Sequence, residues 1–115
     1  MKIKDKIFVA GHKGLVGSAI LKRLKSKGYK NIITASKKEL NLVNQKKVFS
    51  FLKKHRPKFI FLAAAKVGGI YSNNLYKADY IYENLMIQTN VINSAFKTKT
   101  KNLIFLASSC AYPKF

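Results

Sequence analysis

The sequence has little cysteine and no long apolar run. Its one cysteine, Cys110, cannot form an internal disulfide, which agrees with a reducing compartment. The longest apolar stretches, such as FIFLAAAKVGGI, are too short and too interrupted to span a bilayer. The first residues lack the apolar region and cleavage site of a signal peptide. These absences exclude a disulfide-stapled scaffold and predict a cytoplasmic protein.

Acidic residues are also scarce: the sequence has four of them and 23 lysines and arginines. The formal net charge is therefore +19. Such a charge, taken alone, suggests a polyanionic partner. However, the basic residues are almost all lysines, and they are scattered without a long basic block or an aromatic-interleaved basic motif. A solvated, lysine-rich surface is therefore favoured over a dedicated nucleic-acid face.

Metal-ligand spacing is a third absence. His12 lies within a glycine-rich stretch, and His55 stands near the predicted end of a helix. Neither belongs to a cluster of histidines, cysteines or carboxylates with ligand spacing, so no metal site is predicted.

What the sequence does have is a glycine-rich stretch near its start, KIFVAGHKGLVGSAILKRL. Gly11, Gly14 and Gly17 follow an apolar strand and precede a helical pattern, a context typical of dinucleotide binding. Gly11 permits a tight turn, Gly14 a close approach of backbone to a pyrophosphate, and Gly17 close packing of helix on strand. The predicted phosphate-binding residues of this glycine turn (residues 11–17) are Gly11, His12, Lys13, Gly14, Leu15, Val16 and Gly17.

Strand and helix patterns alternate along the whole chain. Strands are predicted at residues 7–10, 31–35, 59–65 and 102–109, and helices at about 15–26, from the cap Asn44 to Arg56-Pro57, and at 79–96. The last helix has an only partly apolar face with Ile81, Leu85, Gln88, Ile92 and Phe96. Tyr82, Met86 and Val91 lie elsewhere on its surface, so the helix is expected to bury more than one side. This order predicts an α/β fold, the N-terminal part of a Rossmann-like doubly wound parallel sheet with four strands and three crossover helices.

The segment after the second strand, TASKKELNL, bears on which dinucleotide is bound. A carboxylate there would hold the 2′-hydroxyl of NAD, whereas Ser36, Lys37 and Lys38, with Lys13 nearby, suit the 2′-phosphate of NADP. Glu39 is a counter-signal that either caps the local backbone or faces solvent. Each lysine by itself is equally well explained as a surface residue.

Small and polar residues end the third and fourth strands, at the sheet edge where ligands lie in such folds. Ala64 and Ala65 are expected beside the cofactor's ribose or nicotinamide. A hydroxyl at Ser108 or Ser109 can polarise a carbonyl oxygen, and the Cys110 thiol can exchange a proton beside a carbonyl. Turn hydrogen bonds and inert packing remain the alternatives for these positions.

With these motifs assembled, the chain resembles the N-terminal portion of the GDP-L-fucose synthase family, the bifunctional epimerase-reductases among the extended short-chain dehydrogenases/reductases. AGHKGLVGSAI, KELNL, AAAKVGGI, NNLYKADYIYENLMIQTNVI and FLASSCAYPK carry the resemblance. It implies epimerisation of GDP-4-keto-6-deoxy-D-mannose at C3 and C5, then hydride transfer from NADPH to C4, giving GDP-L-fucose. It also implies a homodimer that uses the helix containing Asn84.

The resemblance assigns roles to residues at matching positions. The glycine turn binds the pyrophosphate, Ser108 polarises the carbonyl, and Cys110 acts as an acid/base in epimerisation. The residues beside the adenosine phosphate are Lys37, Lys38, Glu39, Leu40, Asn41 and Leu42, and those beside the nicotinamide are Leu106, Ala107, Ser108 and Ser109.

The catalytic Tyr-x-x-x-Lys pair of this superfamily is missing at all six tyrosines. Ala107 and Ala111 also replace an expected glycine and isoleucine. We therefore expect residues 1–115 to form a truncated NADP-binding domain, without the nucleotide-sugar-binding C-terminal domain and without turnover.

Two other classes remain open. A nucleotide-sugar dehydratase or 4-epimerase would share the front half but differ at Cys110. A non-catalytic dinucleotide-binding or regulatory module with polyanion affinity would show salt-dependent DNA binding without NADPH binding.

Overall fold

The structure is a computed structural model that describes residues 1–63 and 70–105, with side chains described for 1–63 and 82–105. The elements follow one another as β1 (Ile7–Ala10), α1 (Leu15–Ser26), β2 (Ile32–Ile33), α2 (Gln45–His55), β3 (Phe59–Leu62), α3 (Ile70–Lys97) and β4 (Asn102–Phe105). No helix within the described part of the chain is both long and apolar enough to cross a membrane.

The four strands form one parallel sheet in the order β2-β1-β3-β4. β1 and β3 pair along their full lengths, from Ile7 with Phe59 to Ala10 with Leu62. β2 pairs only Ile32 and Ile33 with the first half of β1. The predicted parallel α/β fold with three helices is confirmed.

Successive side chains of β1 point to opposite faces of the sheet. Helices cover both of these faces. Ile7 and Val9 pack with Leu24 of α1. Phe8 and Ala10 lie in a larger cluster on the other face, which is supplied by α2 and α3. Burial on both faces explains why the strand sequences IFVA and FIFL are continuously apolar.

The predicted boundaries of α1 and α2 are confirmed. Asn44 caps α2, because its side-chain oxygen accepts a hydrogen bond from the Lys47 amide at 3.1 Å. The helix ends where Arg56 adopts a left-handed conformation (φ 48°) before Pro57. Gly28, with φ 92°, follows the end of α1.

The prediction for α3 was wrong in two respects. The helix begins at Ile70, so Asp79 lies inside it. Tyr82, Leu85, Ile92 and Phe96 were expected on buried sides, but they are exposed, Phe96 by 83%, whereas Val91 is buried as expected. The face turned to the sheet and α2 carries mostly smaller side chains, which allow close approach; its buried residues are Ile87, Asn90, Val91, Ser94 and Ala95.

Two strands are shorter than expected. The predicted strand at residues 31–35 pairs only at Ile32 and Ile33, because the chain leaves the sheet beyond them. β3 ends at Leu62, after which the Ala63 amide still donates to the Ala10 carbonyl at 2.9 Å.

Candidate functional site

The candidate site lies at the carboxyl end of β1. From this strand the chain passes through α1 to β2 on one side, and later through α2 to β3 on the other. β1 and β3 therefore flank the point where the strand order reverses, and open α/β sheets bind ligands in the crevice at such a point. The turn after β1 and the loop after β2 both border this edge.

The glycine turn is shaped by missing side chains. Gly11 has φ 87°, a conformation that residues with a Cβ rarely adopt. The Gly14 amide closes the turn by donating to the Gly11 carbonyl at 3.1 Å. A Cβ at Gly17 would overlap the Gly11 carbonyl oxygen and lie 2.6 Å from its carbon. Gly11 and Gly17 thus hold the turn directly against the start of α1.

Gly14 differs from these two glycines, because a Cβ there would meet only the Gly11 oxygen at an ordinary 3.5 Å. It is exposed and extended, and it precedes α1 without making a side-chain capping bond. The first amides of a helix lack intrahelical acceptors and carry its positive dipole end. This open, uncapped helix start fits a phosphate group, and Leu15 beside it is 89% exposed.

The loop after β2 is built from polar side chains rather than from glycine. The Ser36 amide donates to Glu39 Oε1 at 3.1 Å, while the Glu39 amide donates back to Ser36 Oγ at 3.2 Å. This reciprocal pair is a capping box, and the Leu40 amide adds a bond to the Ser36 carbonyl at 2.8 Å. We call residues 36–44 the capped loop.

The charge of Glu39 is stabilised by its own capping bonds and, to a smaller extent, by the positive charges of the glycine turn. Its hydrogen bonds from Ser36 hold the pKa of the carboxyl below its ordinary value, and the positive charges of Lys13 and His12 act in the same direction. The carboxylate therefore lies within electrostatic reach of the glycine turn. Both roles left open for Glu39 are seen in the structure, because it caps the local backbone and its side chain is exposed.

The other predicted residues of the capped loop divide into exposed and buried ones. Lys37, Lys38 and Asn41 are exposed. Leu40 is buried in the core and the half-buried Leu42 packs against it, so a ligand would meet mainly their backbone atoms. Asn41 Oδ1 accepts a hydrogen bond from the Val43 amide at 3.1 Å, which tightens the loop before α2.

The sequence analysis missed Asn90, a buried residue of α3 whose amide donates to two carbonyls of the capped loop. The available signal was a polar side chain on the same helix face as Ile87 and Val91. Val91 was expected to be buried, but its polar neighbour Asn90 was not considered, because the apolar side chains of α3 were taken as the core.

The remaining predicted site residues lie outside the described residues; they are Ala64, Ala65, Leu106, Ala107, Ser108, Ser109 and Cys110. Within the described part of the chain, no group of three or more histidine, cysteine or acidic residues is placed to hold a metal ion.

Comparison with known proteins extends these observations. Residues 7–115 match the NAD dependent epimerase/dehydratase family. GDP-L-fucose synthase 1 from Arabidopsis thaliana is 56% identical over 110 residues, and GDP-L-fucose synthase from Escherichia coli is 46% identical over 111 residues. Each match covers 96% of this chain, and it covers 34% and 35% of the two relatives.

A solved structure agrees with this match. The GDP-mannoheptose C4 reductase from Campylobacter jejuni, with NADP bound, superposes with a TM-score of 0.87 at 43% identity. The superposition covers 91% of this chain and 33% of the reductase, so the chain spans about a third of the length of these relatives. The match over residues 7–115, together with the parallel sheet and the glycine turn, means that this chain belongs to the NAD dependent epimerase/dehydratase family.

Proposed function

We propose that this chain is the dinucleotide-binding part of an NADPH-dependent epimerase-reductase that acts on a GDP-linked 4-keto sugar. The observation that carries the proposal is the open helix start at Gly14, which leaves room and donors for a pyrophosphate. The nicotinamide cofactor supplies the hydride when it is bound. The glycine turn holds its phosphates, and the capped loop borders its adenosine.

NADPH is proposed rather than NADH because the capped loop places no free carboxylate at its tip. Glu39 is engaged with Ser36, whereas Lys37 and Lys38 are exposed. An ammonium group attracts a 2′-phosphate, and a carboxylate would repel it. The Campylobacter jejuni relative, which carries NADP in its structure, supports the same choice.

The substrate proposed is GDP-4-keto-6-deoxy-D-mannose and the product GDP-L-fucose, as the names of the Arabidopsis thaliana and Escherichia coli relatives suggest. The 4-keto group acidifies C3 and C5, so one oxyanion-stabilising site serves both epimerisation and reduction. Ser108 is proposed to donate to the carbonyl oxygen, and Cys110 to move a proton at the neighbouring carbons. Reduction without epimerisation is the alternative, and it would not need Cys110.

The domain assignment follows from the same proposal. Residues 1–115 form the NADP-binding domain, and the nucleotide-sugar domain is not expected among them. Because no Tyr-x-x-x-Lys pair is present in the sequence, we expect the 115-residue chain to bind NADPH but not to convert substrate.

The decisive experiment is NADPH binding by Gly14→Leu, measured by titration calorimetry. The side chain would fill the space in front of the first amides of α1, and we expect affinity to fall at least about tenfold. Ala19→Leu is the matched control, since it places the same leucine side chain at an exposed position of α1 beyond its first turn. Unchanged binding by Gly14→Leu would overturn the proposal, as would salt-sensitive DNA binding by a wild type that takes up no NADPH.

We further propose that the full-length protein is a cytoplasmic homodimer with the outer face of α3 at its interface. Tyr82, Leu85, Ile92 and Phe96 leave an apolar stripe exposed along this helix, a feature that often marks a protein interface. Phe96→Lys should shift the protein from dimer to monomer in analytical ultracentrifugation, because it places a charge in the stripe. Lys97→Ala, its exposed neighbour, should leave the dimer intact, and a monomeric wild type would exclude this arrangement.

A further inference from the structure

The capped loop is tied to α3 by one side chain. Asn90 Nδ2 donates to the Leu42 carbonyl at 2.9 Å and to the Val43 carbonyl at 2.9 Å. Both hydrogens of its amide are therefore used on adjacent peptide groups. Asn90 itself is only 6% exposed, so its amide has little access to water as an alternative partner.

The carbonyls of Leu42 and Val43 lie in the part of the capped loop that few other hydrogen bonds and contacts hold in place. The capping box of Ser36 and Glu39 fixes its first turn, and Asn44 begins α2 at its other end. Between them, the described tertiary attachments are the apolar contacts of Leu40, Leu42 and Val43 with the core and the two bonds from Asn90. Apolar contacts resist displacement but do not fix the orientation of a peptide group, whereas a pair of hydrogen bonds does.

We propose that Asn90 is a positioning residue that sets the backbone of the capped loop for the adenosine half of the dinucleotide, a role that rests on the proposed function. Leu40 and Leu42 turn their side chains into the core, so a ligand at this loop meets backbone atoms and the exposed Lys37, Lys38 and Asn41. The position of the backbone then decides how well these groups meet adenosine and its phosphate. Asn90 acts through the loop and is not expected to touch the ligand.

The test compares two variants that remove the donors in different ways. Asn90→Asp keeps the shape and sets a carboxylate against the two carbonyls, whereas Asn90→Leu replaces the amide with an apolar side chain that has the same number of heavy atoms and the same branching at Cγ. Asn93→Asp is the control: it makes the same change one turn further along α3, at a half-buried amide that donates to neither carbonyl among the described contacts.

The probes are NADPH and 2′,5′-ADP, which is the adenosine half alone. We expect both Asn90 variants to bind each probe about tenfold more weakly, and Asn93→Asp to bind like the wild type. Hydrogen exchange should quicken at the amides of Val43 and Asn44, whose acceptors both belong to Asn41, while β1 and β3 amides keep their protection. A general loss of stability would speed exchange in the sheet as well and would contradict a local role.

The outcomes separate this inference from the proposed function. A wild type that binds neither probe would overturn both. A wild type that binds, with Asn90 variants that bind equally well, would overturn the inference alone. Normal binding by Asn90→Asp with weak binding by Asn90→Leu would also overturn it, because side-chain shape rather than hydrogen bonding would then be what matters.

Discussion

The glycine turn and the capped loop border the same edge of the sheet, yet opposite means hold them in place. The glycine turn depends on the absence of side chains, because two parts of its backbone approach each other too closely for a Cβ at Gly17. The capped loop depends on atoms that are present, through Ser36, Glu39, Asn41 and Asn90. A region of the first kind should fail abruptly when one atom is added. A region of the second kind should weaken step by step as single bonds are removed.

Gly17→Ala tests the abrupt case and has the largest expected effect. The added Cβ overlaps backbone atoms, which cannot rotate away as a flexible side chain can. We expect the free energy of unfolding to fall by about 3 kcal/mol or more, a large part of the stability of a small domain. Urea unfolding followed by circular dichroism measures this change.

Gly14→Ala is the matched control for this prediction, since its Cβ would lie at an ordinary contact distance and its φ of −76° suits alanine. Its cost should be about 1 kcal/mol or less, the usual range for an alanine at a helix N-cap. Equal costs at Gly14 and Gly17 would show that close approach does not govern the turn.

The two regions also differ in how far the sequence could predict them. Gly11, Gly14 and Gly17 mark a turn between a strand and a helix because glycine conformation is a local property. The same holds for the Asn44 cap and for the end of α2 at Arg56-Pro57. Continuous apolar strands between helices were enough to predict a parallel sheet, and the fold was predicted correctly on that basis.

The capped loop could be predicted only in part. The Ser36-x-x-Glu39 spacing is compatible with a cap, so that role was one of two left open for Glu39. The contact of Asn90 with Leu42 and Val43 joins residues nearly fifty positions apart and leaves no local signal. The face of α3 that meets the sheet was misjudged for a related reason. Leu85, Ile92 and Phe96 have the stronger apolar character, but Val91, Ser94 and Ala95 have the sizes that fit.

The pH dependence of stability tests whether the capped loop weakens step by step as single interactions are removed. It has the smallest expected effect. Hydrogen bonds from Ser36, then the charges of Lys13 and His12, hold the pKa of Glu39 below its ordinary value near 4.5. The folded state therefore favours the ionised carboxyl. Its contribution to stability is complete above the unfolded pKa and is lost as the pH falls through the lower, folded pKa.

Glu39→Gln keeps a side chain that can complete the capping box but removes the titration. The stability advantage of the wild type over this variant should accordingly shrink as the pH falls below the ordinary pKa near 4.5, with the other carboxyls common to both proteins. Unfolding curves across this range measure it, and added salt should reduce the part due to Lys13 and His12. An advantage that stayed constant with pH would mean that Glu39 acts by shape alone. The capped loop would then share with the glycine turn a dependence on geometry rather than on charge.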